Sequence, residues 1–121
     1  MAGLSRNGNL VNVNDQVTIM GSAVSITGTA PSKAAVVVAE AYDGNQFTAQ
    51  ANDCSVVEPA PNTTNTAFWG GNGFAAGALV NVNGKVTSIS GTGLSAQLTV
   101  TLDVSGLSIT ASAGSCNSNA A

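Results

Sequence analysis

The chain has 121 residues, a length typical of one domain, and 7% of them are charged, against about 25% in an ordinary soluble domain. Three basic residues, six acidic residues and no histidine give a net charge of −3. So few cations cannot neutralise a run of phosphates, which argues against nucleic-acid binding. The absence of histidine removes imidazole bases, Ser-His triads and histidine-ligated metals from the candidate chemistry.

The N-terminus carries no targeting signal. Residues 1–6, Met-Ala-Gly-Leu-Ser-Arg, lead into Asn-rich sequence with no apolar segment of the kind found in secretory leaders. The longest apolar run, around Ala34–Val38, is far shorter than the roughly 20 residues of a transmembrane helix. We therefore expect no membrane insertion, and either a mature secreted domain or a protein made without a leader, as virion proteins are.

Two stretches of the chain repeat each other. Residues 10–18, Leu-Val-Asn-Val-Asn-Asp-Gln-Val-Thr, match residues 79–87, Leu-Val-Asn-Val-Asn-Gly-Lys-Val-Thr, at seven of nine positions and an offset of 69. Residues 26–29 match residues 89–92 at an offset of 63, and scattered matches at an offset of 62 run on to the two cysteines. Chance similarity in so biased a composition is the alternative to a true duplication.

The falling offset predicts a duplicated unit with repeat-like halves at about 9–54 and 78–116. A few extra residues are then expected in the first half near Met20–Val24. Between the halves lies an aromatic and Gly-rich insert, residues 55–77, which has no counterpart in this alignment. All of this is expected to form one domain over residues 1–121.

The halves have the pattern of β-strands. Residues 94–104 alternate between apolar and polar side chains over eleven positions, and Ser105-Gly106 then indicates a tight hairpin. Asn-Gly and Asp-Gly pairs recur roughly every 8–12 residues, as in sandwiches and barrels. We predict an all-β fold, an antiparallel β-sandwich or barrel built from two similar β-meander halves. An OB-like barrel is a narrower alternative, suggested by the Val-Thr-Ile and Val-Ser-Ile segments around Gly21.

The strand at Ala35–Ala41 is apolar or small on both faces when the register of the second half is carried over to it. Such a strand is usually buried on both sides, so Val37 and Ala39 are predicted to be covered by the rest of the chain or by a neighbouring subunit. Glu40 falls on the inward side, where a lone carboxylate is costly. It either reaches solvent near the strand end or forms a buried ion pair with Lys33, Lys85 or a cation of a partner.

The two cysteines occupy equivalent places in the two halves. A Cys54–Cys116 disulfide would close a loop of about 60 residues and contribute roughly 4 kcal/mol. Such bridges persist in oxidising surroundings. We therefore predict a disulfide and an extracellular or virion-surface location, with two separate buried thiols as the alternative.

The insert holds the most distinctive residues of the chain, the aromatic cluster Phe68, Trp69 and Phe74 set among glycines. One interpretation is structural, with the aromatic side chains closing one end of the core. The other is a contact surface, because large aromatic side chains dominate protein interfaces and bind sugars by stacking.

No arrangement of residues predicts catalysis. The acidic side chains show no spacing that would place two of them face to face, and we expect no metal, no cofactor and no enzyme activity. They are Asp15, Glu40, Asp43, Asp53, Glu58 and Asp103.

Low charge, short polar side chains and scarce Lys and Glu at sheet edges favour packing against copies of the same chain. This composition is similar to that of secreted pilin-like and phage head-decoration proteins. We predict a structural or assembly subunit, such as a virion coat or decoration protein or a surface-filament subunit, whose partners are copies of itself or a capsid or filament scaffold. Phe68, Trp69, Phe74, Val37 and Ala39 are the expected contact residues. The alternative is a carbohydrate-binding module that binds polysaccharide through Trp69 and its neighbours.

Overall fold

The computed structural model describes residues 3–27, 35–58 and 77–118. These ranges contain strands and short 3-10 turns and no α-helix, so the all-β prediction is confirmed. The strands are β1 (Gly3–Leu4), β2 (Leu10–Val11), β3 (Gln16–Thr27), β4 (Ala35–Glu40), β5 (Gln46–Gln50), β6 (Cys54–Glu58), β7 (Leu79–Ser90), β8 (Gln97–Leu102), β9 (Ser108–Ser112) and β10 (Cys116–Ser118). The 3-10 turns are Ala51–Asp53 and Ala113–Ser115.

One antiparallel sheet forms most of the molecule. Its strand order is β5-β4-β3-β7-β8-β9, with β6 added to β7 and β10 added to β3, while β1 and β2 form a small separate ladder. The end strands β5 and β9 approach each other, so the sheet curls into a nearly closed barrel. The core therefore lies inside a single curved sheet.

The same series of elements occurs twice. β3, β4, β5, a 3-10 turn and β6 make up half one, and β7, β8, β9, a 3-10 turn and β10 make up half two. β3 and β7 have 12 residues each and share one pattern of buried and exposed positions at an offset of 63, and the later elements follow at an offset of 62. Ile19 pairs with Val82, its own equivalent at that offset, so a pseudo-two-fold axis passes between these two residues.

The turns after β4 and β8 repeat in detail. Gly44 and Gly106 both adopt a φ of 77°, a left-handed conformation that favours glycine. Their N–H groups donate to the carbonyls of Glu40 and Leu102, each over 3.0 Å. The hairpin predicted at Ser105-Gly106 is therefore present, and half one contains its counterpart.

The longest sequence match, residues 10–18 with residues 79–87, is not a structural equivalence. Leu10 belongs to the two-residue strand β2, whereas Leu79 begins β7 and is equivalent to Gln16. No extra residues occur near Met20–Val24, since β3 and β7 have equal length. Asn14 and Gly77, at an offset of 63, both have positive φ and donate to equivalent carbonyls, those of Val86 and Ala23. The earliest described part of the repeat is therefore Asn14 with Gly77.

The predicted insert also begins later than expected. Residues 54–58 form β6, the counterpart of β10, and residues 59–76 lie outside the described part of the chain. β6 pairs with β7 of half two, and β10 pairs with β3 of half one. Each half therefore completes the sheet of the other.

β3 and β7 each take part in two ladders along one edge. Near its start β3 pairs with β10, and towards its end it pairs with β4 across a bulge at Val24. β7 carries the equivalent bulge at Thr87 opposite β8. Since a bulge kinks a strand and increases its twist, this pair of bulges bends the sheet around the core.

The core is aliphatic and drawn from both halves. Its largest fully buried side chains are Ile19, Leu98, Leu102, Val11, Val17, Val36, Val38, Val80, Val82, Val86 and Val100. The N-terminal segment covers the outer edge of β10: the Arg6 N–H donates to the Cys116 carbonyl over 2.7 Å, and the Asn7 side chain donates to the Ser118 carbonyl.

Two equivalent glycines allow the close approach of strands. A Cβ added at Gly21 would lie 2.5 Å from the Ala39 carbonyl oxygen, and one at Gly84 would lie 2.7 Å from the Thr101 carbonyl oxygen. We expect Gly21→Ala and Gly84→Ala each to lower the free energy of unfolding by about 1–3 kcal/mol, because backbone must move. Denaturant titration measures this loss. Thr48→Ala, on an exposed position of β5, is the control. Wild-type stability in both glycine variants would contradict the close approach of the strands at these two positions.

Candidate functional site

The outer face of β4 is the only part of the predicted contact surface that lies within the described residues. Val36, Val38 and Glu40 point inward and are buried, while Val37 and Ala39 point outward and are half-buried. In the sheet, Val37 lies between Ser25 and Thr48. The described chain therefore covers the inner face of this strand completely and its outer face only in part.

An apolar groove lies beside this face. It encloses about 250 Å³, and Met20, Gly21 and Ser22 of β3 lie among its lining residues. Val57 and Leu79 contribute side chains that are 48% and 38% exposed. The remaining lining residues are Ala41, Val80 and Arg6. We call the outward residues Met20, Val37, Ala39, Ala41, Val57 and Leu79 the apolar face.

The pseudo-symmetry supplies an internal comparison for this surface. At five of the six places of the apolar face, and at the neighbouring Ser22, the equivalent residue is polar or charged, and we call these equivalents the polar face. The equivalent of Val57, residue 119, lies outside the described residues. The replacements are Asn83 for Met20, Lys85 for Ser22, Thr99 for Val37, Thr101 for Ala39, Asp103 for Ala41 and Gln16 for Leu79. Since the backbone is the same, the fold does not require the apolar side chains.

The polar face has hydrogen bonds typical of a solvated sheet surface. Gln16 Nε2 donates to Asp103 Oδ2 over 2.5 Å, and Thr18 Oγ1 donates to Asn83 Oδ1 over 2.7 Å. The apolar side chains at the equivalent places of the apolar face cannot form such hydrogen bonds. Exposed apolar patches are typical of contact sites in proteins, so the apolar face is the candidate site.

The predicted Cys54–Cys116 disulfide is wrong, because both cysteines are free and buried. Cys116 pairs with Ile19 and Cys54 pairs with Val82, so the thiols occupy the two ends of a four-strand row. Three strand spacings of about 4.8 Å separate their Cα atoms by roughly 14 Å, and a disulfide needs less than about 7 Å. Burial raises the pKa of each thiol to about 12, helped by Asp53 at Cys54 and by Glu40 at Cys116.

Glu40 lies at a junction between the halves. It is 4% exposed, and its Oε1 accepts the Ser112 N–H over 2.6 Å. Ser112 Oγ donates in turn to Asp43, and Ser115 Oγ accepts the Tyr42 N–H over 3.0 Å. Burial raises the pKa of the Glu40 carboxyl, while hydrogen bonds from Ser112 oppose the rise and repulsion by Asp43 adds to it.

The structure contradicts solvent exposure of Glu40 and its pairing with Lys85, while an ion pair with Lys33 or with a cation of a partner stays a prediction. The carboxylate does not reach solvent, and its partners among the described residues are serines and not a cation. Lys85 lies exposed on β7, and Lys33 falls outside the described residues.

The equivalent junction uses a different acid. Leu102 stands at the place of Glu40, and Asp53 stands at the place of Ser115. Asp53 accepts the N–H of Ser105 over 2.9 Å and that of Gln50 over 3.1 Å. Each junction thus contains one buried carboxylate of half one that accepts a backbone N–H from half two, that of Ser112 at Glu40 and that of Ser105 at Asp53.

This arrangement has a structural chemistry. Glu40, Asp43 and Ser112 form a network without a histidine, and the described residues contain no group of three side chains suited to a metal ion. In the same ranges, no helix is long and apolar enough to cross a membrane. The carboxylates therefore serve to satisfy buried N–H groups, which are costly to leave unpaired.

The aromatic contact residues predicted from the sequence, Phe68, Trp69 and Phe74, lie outside the described residues, and so does most of the insert. Tyr42, a further aromatic residue that could join Trp69 in stacking on a sugar, lies within the described residues. Its ring lies directly over Gly114, where an added Cβ would be 2.6 Å from Cδ1. The carbohydrate-binding hypothesis therefore stays a prediction about residues 55–77.

Known proteins add no further evidence: no family model, curated protein or solved structure matches this chain.

Sequence reasoning missed the groove residues Met20, Val57 and Leu79. The longest sequence match hid the signal, because it aligned Leu79 with Leu10. Aligning β3 with β7 at an offset of 63 places Leu79 opposite Gln16 and Met20 opposite Asn83, and the contrast between the faces becomes visible.

The thiols give a direct test of the strand register. We expect an aromatic disulfide reagent to label neither cysteine in the native protein and both after unfolding, since the thiols are buried with a pKa of about 12. Mass spectrometry without reductant should show the mass of the dithiol. A mass lower by two hydrogens would contradict the register.

Glu40 gives a pH-dependent test. Because its folded-state pKa is raised, its favourable contribution is complete below the unfolded pKa near 4.5 and is lost as pH rises through the folded-state value. We expect Glu40→Gln to remove this loss, so that chemical denaturation gives a flatter stability profile above pH 4.5. Asp43→Asn should lower the pKa of Glu40 and shift the loss to lower pH. An unchanged profile in Glu40→Gln would contradict this role.

Proposed function

We propose that this chain is a non-catalytic structural subunit that assembles with copies of itself, as coat or decoration proteins of virions and subunits of surface filaments do. An extracellular or virion-surface setting is part of the proposal. The observation that carries it is the contrast between two structurally equivalent outer surfaces, the apolar face and the polar face.

The contrast favours contact with a protein surface. Burying apolar area contributes about 25 cal/mol per Å², so the partly exposed side chains of Val57 and Leu79 stabilise an assembly that covers them. The alanines and serines around them are short. Such side chains lose little rotamer entropy on ordering and allow two surfaces to approach closely.

Charge favours copies of the same chain as partners. The net charge of −3 gives only weak repulsion between copies. Among the described residues that line the groove, Arg6 is the one with a charged side chain. The apolar face can therefore be covered without burying a cluster of like charges.

The proposal is tested by moving residues between the halves. We expect the double variant Val37→Thr and Ala39→Thr, which carries the side chains of Thr99 and Thr101, to weaken self-association more than about tenfold with stability changed by less than about 0.5 kcal/mol. Sedimentation velocity over a concentration series measures the association.

The matched control is Thr99→Ala with Thr101→Ala, which alters the polar face and should leave association unchanged. Wild-type protein that stays monomeric at the highest attainable concentration, with no ordered assemblies under the electron microscope, would overturn the proposal.

A further inference from the structure

We propose that the turn after β8, residues 103–107, of one copy docks into the groove of the next copy. The inference rests on the proposed function and names the contact through which copies would join. It commits to a second copy of this chain as the occupant of the groove.

The turn presents apolar side chains on a rigid support. Val104 is 61% exposed, the second most exposed large apolar side chain among the described residues, and Leu107 is 40% exposed. Three hydrogen bonds fix the backbone: Gly106 N–H to the Leu102 carbonyl, Leu107 N–H to Ser105 Oγ, and Ser105 N–H to Asp53 Oδ1. A turn already ordered in this way loses little entropy on docking.

The equivalent turn of half one has similar hydrogen bonds but lacks the two exposed aliphatic side chains. Tyr42 stands at the place of Val104, with its ring packed over Gly114, and Asn45 stands at the place of Leu107. The turn with two exposed aliphatic side chains therefore belongs to half two alone, and the groove, lined by β3, β6 and β7, has a polar counterpart at the equivalent place. Each copy carries one of each.

The groove and the turn match each other in size and in charge. A groove of about 250 Å³ is smaller than most small-molecule sites and suits one or two aliphatic side chains. Arg6 lines the groove, and Asp103 lies next to Val104 with both residues exposed. Gln16 donates to Asp103 Oδ2 and holds the carboxylate in place for a guanidinium on its other oxygen.

The turn cannot reach the groove of its own copy. Asp53 holds it through Ser105, and the Asp103 N–H donates to the Asn83 carbonyl over 3.1 Å. The turn of each copy therefore enters the groove of another copy, either reciprocally within a pair of copies or in a head-to-tail series.

A mixing experiment tests this contact. The turn variant carries Val104→Asn and Leu107→Asn. The groove variant carries Ser22→Lys and Leu79→Gln, the side chains found at the equivalent places of the polar face. We expect each variant alone to be monomeric by sedimentation equilibrium, with an unchanged unfolding midpoint. Mixed in equal amounts they should form a one-to-one dimer and nothing larger, because one groove and one turn remain intact.

The charges give a second measurement. Arg6→Asp and Asp103→Arg should each weaken association of the otherwise wild-type chain by about threefold, and the double variant should recover it. Val24→Thr, which takes the residue of the equivalent bulge at Thr87, is the control and should assemble like wild type.

The outcomes separate the two proposals. If the wild-type chain and the turn variant both assemble, the copies meet through another surface, for instance groove against groove. This result overturns the docking inference and leaves the proposed function standing. If the single variants are monomeric and their mixture is also monomeric, the inference is again overturned. A wild-type chain that is monomeric at every concentration overturns the proposed function itself.

Discussion

The antiparallel pairing of β3 with β7 is the interaction on which the rest of the structure depends. It places Ile19 opposite Val82 on the pseudo-two-fold axis and fixes the register of every other strand by symmetry. Along the edge that faces away from this pairing, each long strand has room for two partners. β10 of half two takes one of these places on β3, and β6 of half one takes the equivalent place on β7. Neither half can bury its own core face alone, so the two fold as one unit.

Buried carboxylates finish the junctions that this pairing creates. At one junction the acid comes from the end of β4, Glu40, and at the other from a 3-10 turn, Asp53. The acid lies at a strand end in one junction and in a 3-10 turn in the other. In both places it accepts a backbone N–H from the opposite half. The constraint is the cost of an unpaired buried N–H, and either position satisfies it.

Much of the fold could be predicted from the sequence because period-two alternation is a local signal. The strand at Gln97–Leu102 and the inward positions Val36, Val38 and Glu40 followed from it directly. The disulfide was wrong for a reason that symmetry explains: equivalent residues meet only near the axis, and the cysteines lie one strand beyond it on either side. The sequence spacing of two matching residues does not give the distance between them in the fold.

Two other points also lay beyond sequence reasoning. Low charge suggested unprotected sheet edges, but β5 and β9 approach each other and the segment at Arg6 covers β10, so geometry replaces charge at these edges. The groove depends on residues from β3, β6 and β7, which adjoin only after the halves have exchanged strands. The candidate contact surface is therefore a face of the sheet and not an edge.

The joining of two equivalent halves in one chain has an evolutionary consequence. In a dimer of identical chains every mutation appears twice, so a residue that suits one surface is forced onto the other. Here Met20 and Asn83, or Ala39 and Thr101, change independently on the same backbone. The repeated strands build one common core, while the two equivalent outer surfaces carry different side chains.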